Sequence, residues 1–339
     1  MGVDLKDIVP RRQISLDELR AKPIAVDAYN ALYQFLAIIR QPTGELLTDN
    51  SGRVTSHLSG ILYRSSNLIE KGVNLVYVFD GKPPSLKAAE IRRRLKIKRE
   101  ATTKYESALV NRDFAKAKTY AQMTSHLSDS MVEDAKRLLQ LLGIAVVQSP
   151  SEGEAQAAYM TKKNGVWAAS QDYDSLLFGA ERLVRNLTIT GRRKLPRKNV
   201  YVEVNPEAIE LNEVLRSLQV TRDQLIDIAL LVGTDYNEGI TGIGAKTALK
   251  KIRERGGLEA VLTELQELDK VNLQIRDMFR NPEVTDDYTL KWSDPDVEGV
   301  IRFLCSERAF SEERVRNAVE KMKLGAKESK SMSRLESWL

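Results

Sequence analysis

Seven carboxylates recur at matching places along the chain, each at the end of a short apolar run or just beyond one. Asp27 closes the run PIAVD, and Asp80 closes NLVYVFD. Glu152 and Glu154 follow IAVVQ, within SPSEGEAQAAYM. Asp172 and Asp174 follow VWAAS, within QDYD, and Asp235 follows LLVGT. In an open parallel sheet, ligands bind beyond the carboxyl ends of the strands. Folding is therefore expected to bring all seven acids to one edge of a sheet. So many negative charges in one crevice repel one another unless cations neutralise them. Oxygen donors without His or Cys suit Mg²⁺, with Mn²⁺ as a substitute, rather than Zn²⁺. Two such ions about 4 Å apart suit phosphodiester hydrolysis, because they stabilise charge on the attacking and leaving oxygens. No general-base histidine is needed, and His57 and His126 lie away from every acidic cluster.

Each acid taken singly has a plainer explanation. An Asp after a strand often only caps a helix or forms a turn, and Glu152 and Glu154 could simply complement a helix dipole. Asp172 and Asp174 as an isolated D-x-D carry little weight. No such local role explains why several separate strand ends send acid to the same side.

Two basic segments accompany the acids. Leu86 to Lys104 holds eight basic residues against two acidic ones, directly after Asp80. At helical spacing Lys87, Arg94 and Lys98 fall within one narrow arc. Taken alone this is a solvated helix face; beside a metal site it can attract single-stranded backbone and stabilise a reacting phosphate. The second segment, GITGIGAKTALKKI, reads as a hairpin between helices. Gly242 and Gly244 would let backbone amides approach a phosphate at a helix N-terminus, with Lys246, Lys250 and Lys251 adding positive charge. Such a segment recognises duplex backbone by shape rather than sequence.

The elements that must position these residues follow from pattern. The β-branched runs ending in acid read as buried strands. Helical patterns lie between them at Ala28 to Arg40, Thr55 to Lys71 and Ser130 to Leu142. Alternating strand and helix implies an α/β fold with a mostly parallel central sheet covered on both faces. The stretch ERLVRNLTITGRRKLPRKNVYVEVNP reads as a hairpin inserted beside that sheet, and the chain from Pro206 onward as almost all helix. The polar start of GAKESKSMSRLESWL suggests a flexible tail over 326–339 ending in a short apolar motif.

Composition sets outer bounds. The 339 residues are 42% hydrophobic and 29% charged, with net charge +5, values ordinary for a soluble globular protein. The single Cys305 excludes an internal disulfide, and with two histidines it speaks against a zinc cage. No signal peptide or membrane span is visible, and Lys6 stands where a myristoylation motif wants Ser or Thr.

Collinear motifs along the whole chain resemble one family. The opening MGVDLKDIV, AVDAYNALYQFL, DGKPPSLKAAE, SEGEAQAAYM, ASQDYDSLLFG and LLVGTDYNEGITGIG are similar to motifs of flap endonucleases of the archaeal and eukaryotic replication type. The resemblance implies a PIN-like nuclease core with a helical arch and a C-terminal helical region containing a helix–two-turn–helix motif. It implies a structure-specific 5′ flap endonuclease with 5′–3′ exonuclease activity in DNA replication (Okazaki fragment maturation) and repair. It makes Asp27, Asp80, Glu152, Glu154, Asp172, Asp174 and Asp235 the metal ligands, and Lys87 and Arg94 the arch residues that reach the scissile phosphate. Tyr33 would stack on a base of the frayed substrate end, Gly2 would lie near the active centre, and Arg40, Arg64 and Gly233 would line the DNA path. The helix–two-turn–helix would hold K⁺ between protein and DNA.

The tail is similar to the family's sliding-clamp (PCNA) binding motif, with Leu335, Trp338 and Leu339 as anchors. It departs from pattern in Met332, where Gln is usual, and in Leu339, which replaces the second aromatic. The implied organisation is one nuclease domain over 1–325, with the arch starting in 1–100 and continuing over 101–125. An internal region over 126–260 would include the helix–two-turn–helix at 233–255, and C-terminal helices would fill 261–325. Expected partners are flapped or nicked DNA and the clamp, with no membrane and a monomer on its own. The absence of a basic tail after the clamp motif suggests an archaeal-type cytoplasmic protein. Two rivals are a Mg²⁺-dependent ribonuclease or exonuclease on the same fold, and a non-catalytic junction-binding scaffold, which would not need seven acids.

Overall fold

The computed structural model describes every residue except 1, 42, 112, 114–115, 117–118, 122–123, 125, 190, 195–200 and 337–339. In chain order its main elements are β1 (Arg12–Gln13), β2 (Pro23–Asp27), α1 (Ala28–Ile38), α2 (Ser56–Glu70), β3 (Asn74–Phe79), α3 (Ala88–Val110) and α4 (Asp129–Leu141). There follow β4 (Ala145–Gln148), α5 (Gly153–Asn164), β5 (Trp167–Ala169), α6 (Asp174–Leu177), β6 (Arg182–Arg185), β7 (Gly191–Lys194), β8 (Tyr201–Val204) and β9 (Glu207–Glu210). Helices α7 (Leu211–Leu218), α8 (Arg222–Val232), α9 (Ala245–Arg255), α10 (Leu258–Leu265), α11 (Gln274–Arg280), α12 (Val297–Ile301) and α13 (Glu312–Glu336) complete the chain.

The central sheet has the order β1-β9-β6-β5-β2-β3-β4. Strands β6, β5, β2, β3 and β4 are mutually parallel, and β9 and β1 join antiparallel at one edge. Strand side chains alternate between faces. Leu75, Tyr77 and Phe79 accordingly enter the core shared with α1, α2, α4 and α13, whereas Val76 and Val78 enter the core shared with α5 and α8. Both faces are covered, which is why the strands read as unbroken apolar runs.

Three expectations need correction. The segment after Gly179 is not a single hairpin beside the sheet: β6 pairs parallel to β5 inside it, and only β7 and β8 form a separate ribbon. Nor is the chain helical directly after Pro206, because β9 pairs antiparallel with β6. Glu207–Glu210 is too short to show a period, and its strand state comes from pairing. The tail also differs from expectation, since the backbone of α13 stays helical through Glu336. Among the described residues no helix is long and apolar enough to cross a membrane.

Between α11 and α12 the chain runs without regular structure across the amino-terminal side of the sheet. Trp292 Nε1 donates to the Leu75 carbonyl at 2.7 Å, and the Ser293 N–H donates to the Gly143 carbonyl at 3.1 Å. This strap covers the side of the sheet opposite the acids.

Candidate active site

All seven carboxylates meet beyond the carboxyl ends of the parallel strands. Asp27 ends β2 and caps α1, accepting the Asn30 N–H at 2.9 Å. Asp80 follows β3 and accepts the Gly153 N–H at 2.7 Å. Glu152 stands at the N-cap of α5, with Glu154 in its first turn. Glu154 accepts hydrogen bonds from the Ser170 and Ser175 hydroxyls. Asp172 accepts from the Gly2 N–H at 3.2 Å and from Asn30 Nδ2 at 3.0 Å. Asp174 opens α6 and accepts the Val3 N–H at 2.8 Å. Asp235 follows α8 and meets Arg94 Nη2 at 2.5 Å.

The amino terminus is threaded into this cluster. Val3, Leu5 and Val9 are buried in the core on the α5 side, which places Gly2 against the acids. A Cβ on Gly2 would lie 2.7 Å from Asp172 Cβ and 2.9 Å from Asp174 Oδ1. Only glycine fits there.

Burial is the largest force on the buried acids, because desolvation penalises the charged form. It pushes Asp174 up to about 7, with Asp235 and Asp172 adding repulsion and the Val3 N–H opposing. Asp80 rises to about 6 through burial and then Glu152. Asp27 and Glu154 are held well above the usual carboxylate range by burial and by their acidic neighbours. Asp235 goes the other way. Burial acts against it, but Arg94, and further off Lys87, hold it below its ordinary value.

Two cations from the predicted basic segment reach into the pocket. Lys87 Nζ sits 2.5 Å from Glu152 and 3.8 Å from Asp235, over the ring of Tyr236. Arg94, one helical stripe along α3, spans Glu90 and Asp235. Among the described residues no three acidic, His or Cys side chains close into a ready cage around one point. That geometry still fits Mg²⁺, which keeps several waters and takes only one or two carboxylates directly. The donor set is all oxygen, with Asp27, Glu152, Asp174 and Asp235 buried and Asp80, Glu154 and Asp172 half-buried, and Lys87 and Arg94 offset part of its charge. A hard divalent cation is the group that such a donor set fits.

The remaining predicted residues are placed as follows. Tyr33 is exposed on α1, close enough to the site for Arg94 and Asp80 to act on its hydroxyl. Arg64 is half-buried on α2. Arg40 donates to the carbonyls of Leu36 and Gly44, each at 2.8 Å, so it braces its own loop. Gly233 ends α8 at φ +106°, where a Cβ would lie 2.8 Å from the Glu238 carbonyl oxygen. Gly244 caps α9, and both Gly242 and Gly244 have open space where a side chain would project. Lys246 and Lys250 are exposed on α9, whereas Lys251 is paired with Glu264 at 2.8 Å. Leu335 lies on the helical backbone of α13, and Trp338 and Leu339 lie outside the described residues. His57 is fully buried in α2 and His126 is exposed, so neither reaches the acids.

The comparisons with known proteins agree with this geometry. Residues 1–101 match the XPG N-terminal domain and residues 143–235 the XPG I-region. The chain is 54% identical to Flap endonuclease 1 of Pyrococcus abyssi over 100% of its own length and 98% of the relative's. Flap endonuclease 1 of Pyrococcus furiosus is also 54% identical, over 100% of this chain and 99% of the relative.

The chain belongs to the flap endonuclease family.

The solved flap endonuclease-1 from Methanococcus jannaschii, 42% identical, superposes with a TM-score of 0.76 over 96% of this chain and 99% of its own. As a flap endonuclease the chain is a nuclease, a hydrolase of phosphodiester bonds that selects its substrate by structure. Reasoning from sequence missed several residues that shape this flap endonuclease site. Ser170 bonds both Glu154 and the Asp172 N–H, and Glu90 grips Arg93 and Arg94. Their signal was local: Ser170 stands two residues before Asp172, in the register of a side-chain-to-backbone turn.

Proposed function

We propose that this flap endonuclease cuts DNA near the base of 5′ flaps at the acidic pocket, using two Mg²⁺ ions. The observation that carries this reading is the convergence of seven carboxylates, four of them driven toward protonation, with Lys87 and Arg94 at the same place. Asp27, Asp80, Glu152, Glu154, Asp172, Asp174 and Asp235 would hold the ions directly or through water. When bound, the ions supply stabilisation of negative charge on a reacting phosphate.

The protein's own groups do the rest. Burial keeps Lys87 poorly hydrated, yet Glu152, Asp235 and Asp80 hold it protonated more firmly than a free lysine. Its ammonium is then available to a phosphate oxygen. Arg94 can swing from Asp235 to phosphate, exchanging one charge-assisted hydrogen bond for another. Lys87, in the turn just before α3, and Arg94, on α3, point both cations the same way, which fits a single strand passing along them. The backbone at Gly242 and Gly244, with open space beside it, and the exposed Lys246 would grip duplex phosphates and hold K⁺ at that turn. Tyr33 would stack on the frayed terminal base, and Gly2, Arg40, Arg64 and Gly233 would border the DNA path.

Asp174→Ala is expected to abolish cutting of a labelled flapped duplex in Mg²⁺ while leaving DNA binding near wild type. Cutting at the wild-type rate would overturn the assignment.

The last residues extend the reading to a partner. Leu335, Trp338 and Leu339 would anchor the chain in a sliding clamp, and the chain would otherwise act as a monomer in an archaeal-type cytoplasm. Trp338→Ala is expected to remove most clamp affinity with naked-DNA cutting intact. Undiminished clamp binding by that variant refutes the contact.

A further inference from the structure

Asn30 stands three residues after Asp27, in the first turn of α1, and links carboxylates that arrive from two different strands. Its backbone N–H donates to Asp27 Oδ1 at 2.9 Å, and its side-chain Nδ2 donates to Asp172 Oδ2 at 3.0 Å. The other oxygen of Asp172 is held by the Gly2 N–H at 3.2 Å. Strands β2 and β5, which deliver Asp27 and Asp172, are parallel neighbours with Val26 opposite Ala169. Asn30 lines the cleft between them, together with Asp27, Ser170 and Gln171.

We propose that Asn30 is a positioning residue for the metal centre, fixing Asp172 beside Asp27 so that the two carboxylates can face a shared divalent cation. The inference rests on the metal reading above and adds a group outside the acidic set. Two carboxylates at neighbouring strand ends repel, and an Asp with a free side-chain torsion would turn outward to water. A donor is needed to hold it, and the type of donor matters. A Lys or Arg would bring a charge that competes with the metal. An Asp would add one more negative charge to a pocket already crowded with carboxylates. An amide donates without charge, and it occupies one lone pair of an oxygen that keeps others free for a metal. The one-turn reach from the α1 cap is what brings it there: Asp27 starts the helix, and the third residue of the first turn projects back across the strand end.

Outer partners of metal ligands typically contribute about 10–100-fold in metal affinity. The test titrates the full chain with Mn²⁺ alone, without DNA, following free Mn²⁺ by electron paramagnetic resonance. It compares wild type, Asn30→Leu (similar size, no donor), Asn30→Ala and Asp172→Asn. Asn30→Leu and Asn30→Ala are both expected to weaken Mn²⁺ binding by roughly 10–100-fold. The Mg²⁺ needed for half-maximal cutting should rise by a similar factor, and the rate should largely recover at saturating Mg²⁺. A residue with a structural role only would lower the unfolding midpoint and leave the Mn²⁺ affinity of the folded chain unmoved. Wild-type Mn²⁺ affinity in both Asn30 variants would overturn the inference while leaving the metal reading standing, provided Asp172→Asn binds more weakly. If Asp172→Asn also binds as wild type does, the metal reading itself fails and this inference falls with it.

Discussion

Asp174 and Asp80 are the residues at which charge, burial and function meet most directly. Asp174 is pushed up to about 7 and Asp80 to about 6, burial being the largest cause for each. A carboxyl whose folded value lies above its unfolded one binds its proton more readily in the fold. The stability it supports is full below the unfolded value, about 3.9 for Asp, and is lost as pH rises through the folded value. For these two the window ends near 6 and 7. A divalent cation held by these carboxylates, as proposed, would replace the departing protons, and its stabilising effect would grow over the same window. Thermal unfolding with and without Mg²⁺ is expected to show a large Mg²⁺ shift near about pH 8 and a small one near about pH 5. A shift independent of pH would mean that metal and proton do not compete for these carboxylates.

At the scale of the element, α1 decides how the acids and Tyr33 are presented, and α1 is seated by α2. Gly60 of α2 lies so close to the Phe35 ring of α1 that an added Cβ would stand 2.2 Å from Phe35 Cγ. Phe35 is itself buried, with Leu32 and Leu36 on the same face. Gly60→Ala therefore overpacks the crossing and is expected to cost about 1–3 kcal/mol, readable as a lowered midpoint in denaturant unfolding. An unchanged midpoint would show that the two helices are free to move apart. Helix α3 shows another logic. Its Arg94, with Lys87 from the turn just before it, is paired with acids of the site, whereas Arg93 turns to Glu90 at 2.6 Å. One basic run thus divides its charge between the pocket and the helix's own surface.

For the whole molecule, net charge +5 is modest, so attraction to DNA depends on where the cations stand. Lys246 and Lys250 on α9 are exposed, whereas Lys87 and Arg94 are paired with acids of the site. Binding to a flapped duplex is expected to weaken linearly in log–log terms as salt rises, through counterion release. Lys246→Ala should reduce that slope by about 1 and weaken flapped and unflapped duplexes alike. Filter binding across about 50 to 200 mM salt measures it; an unaltered slope would take Lys246 off the DNA path.

Much of this was legible in the primary structure. The runs ending at Asp27 and Asp80 announced their strands, because a strand buried on both faces must be apolar throughout. The helices at Ala28, Ser56 and Asp129 showed their periods, and acids recurring after strands implied one crowded edge. Other features could be decided only by tertiary contact. Glu207–Glu210 became a strand because β6 had an open edge to pair with, which four residues cannot announce. The strap from α11 to α12 has no period at all and is held by hydrogen bonds to the backbone of Leu75 and Gly143. No local pattern sets Asn30 apart from other polar residues of a helix; only the chain following β5 brings Asp172 to its side chain. Period and burial are local properties and can be read along the chain, whereas a hydrogen bond spanning 142 residues exists only once the strands are side by side.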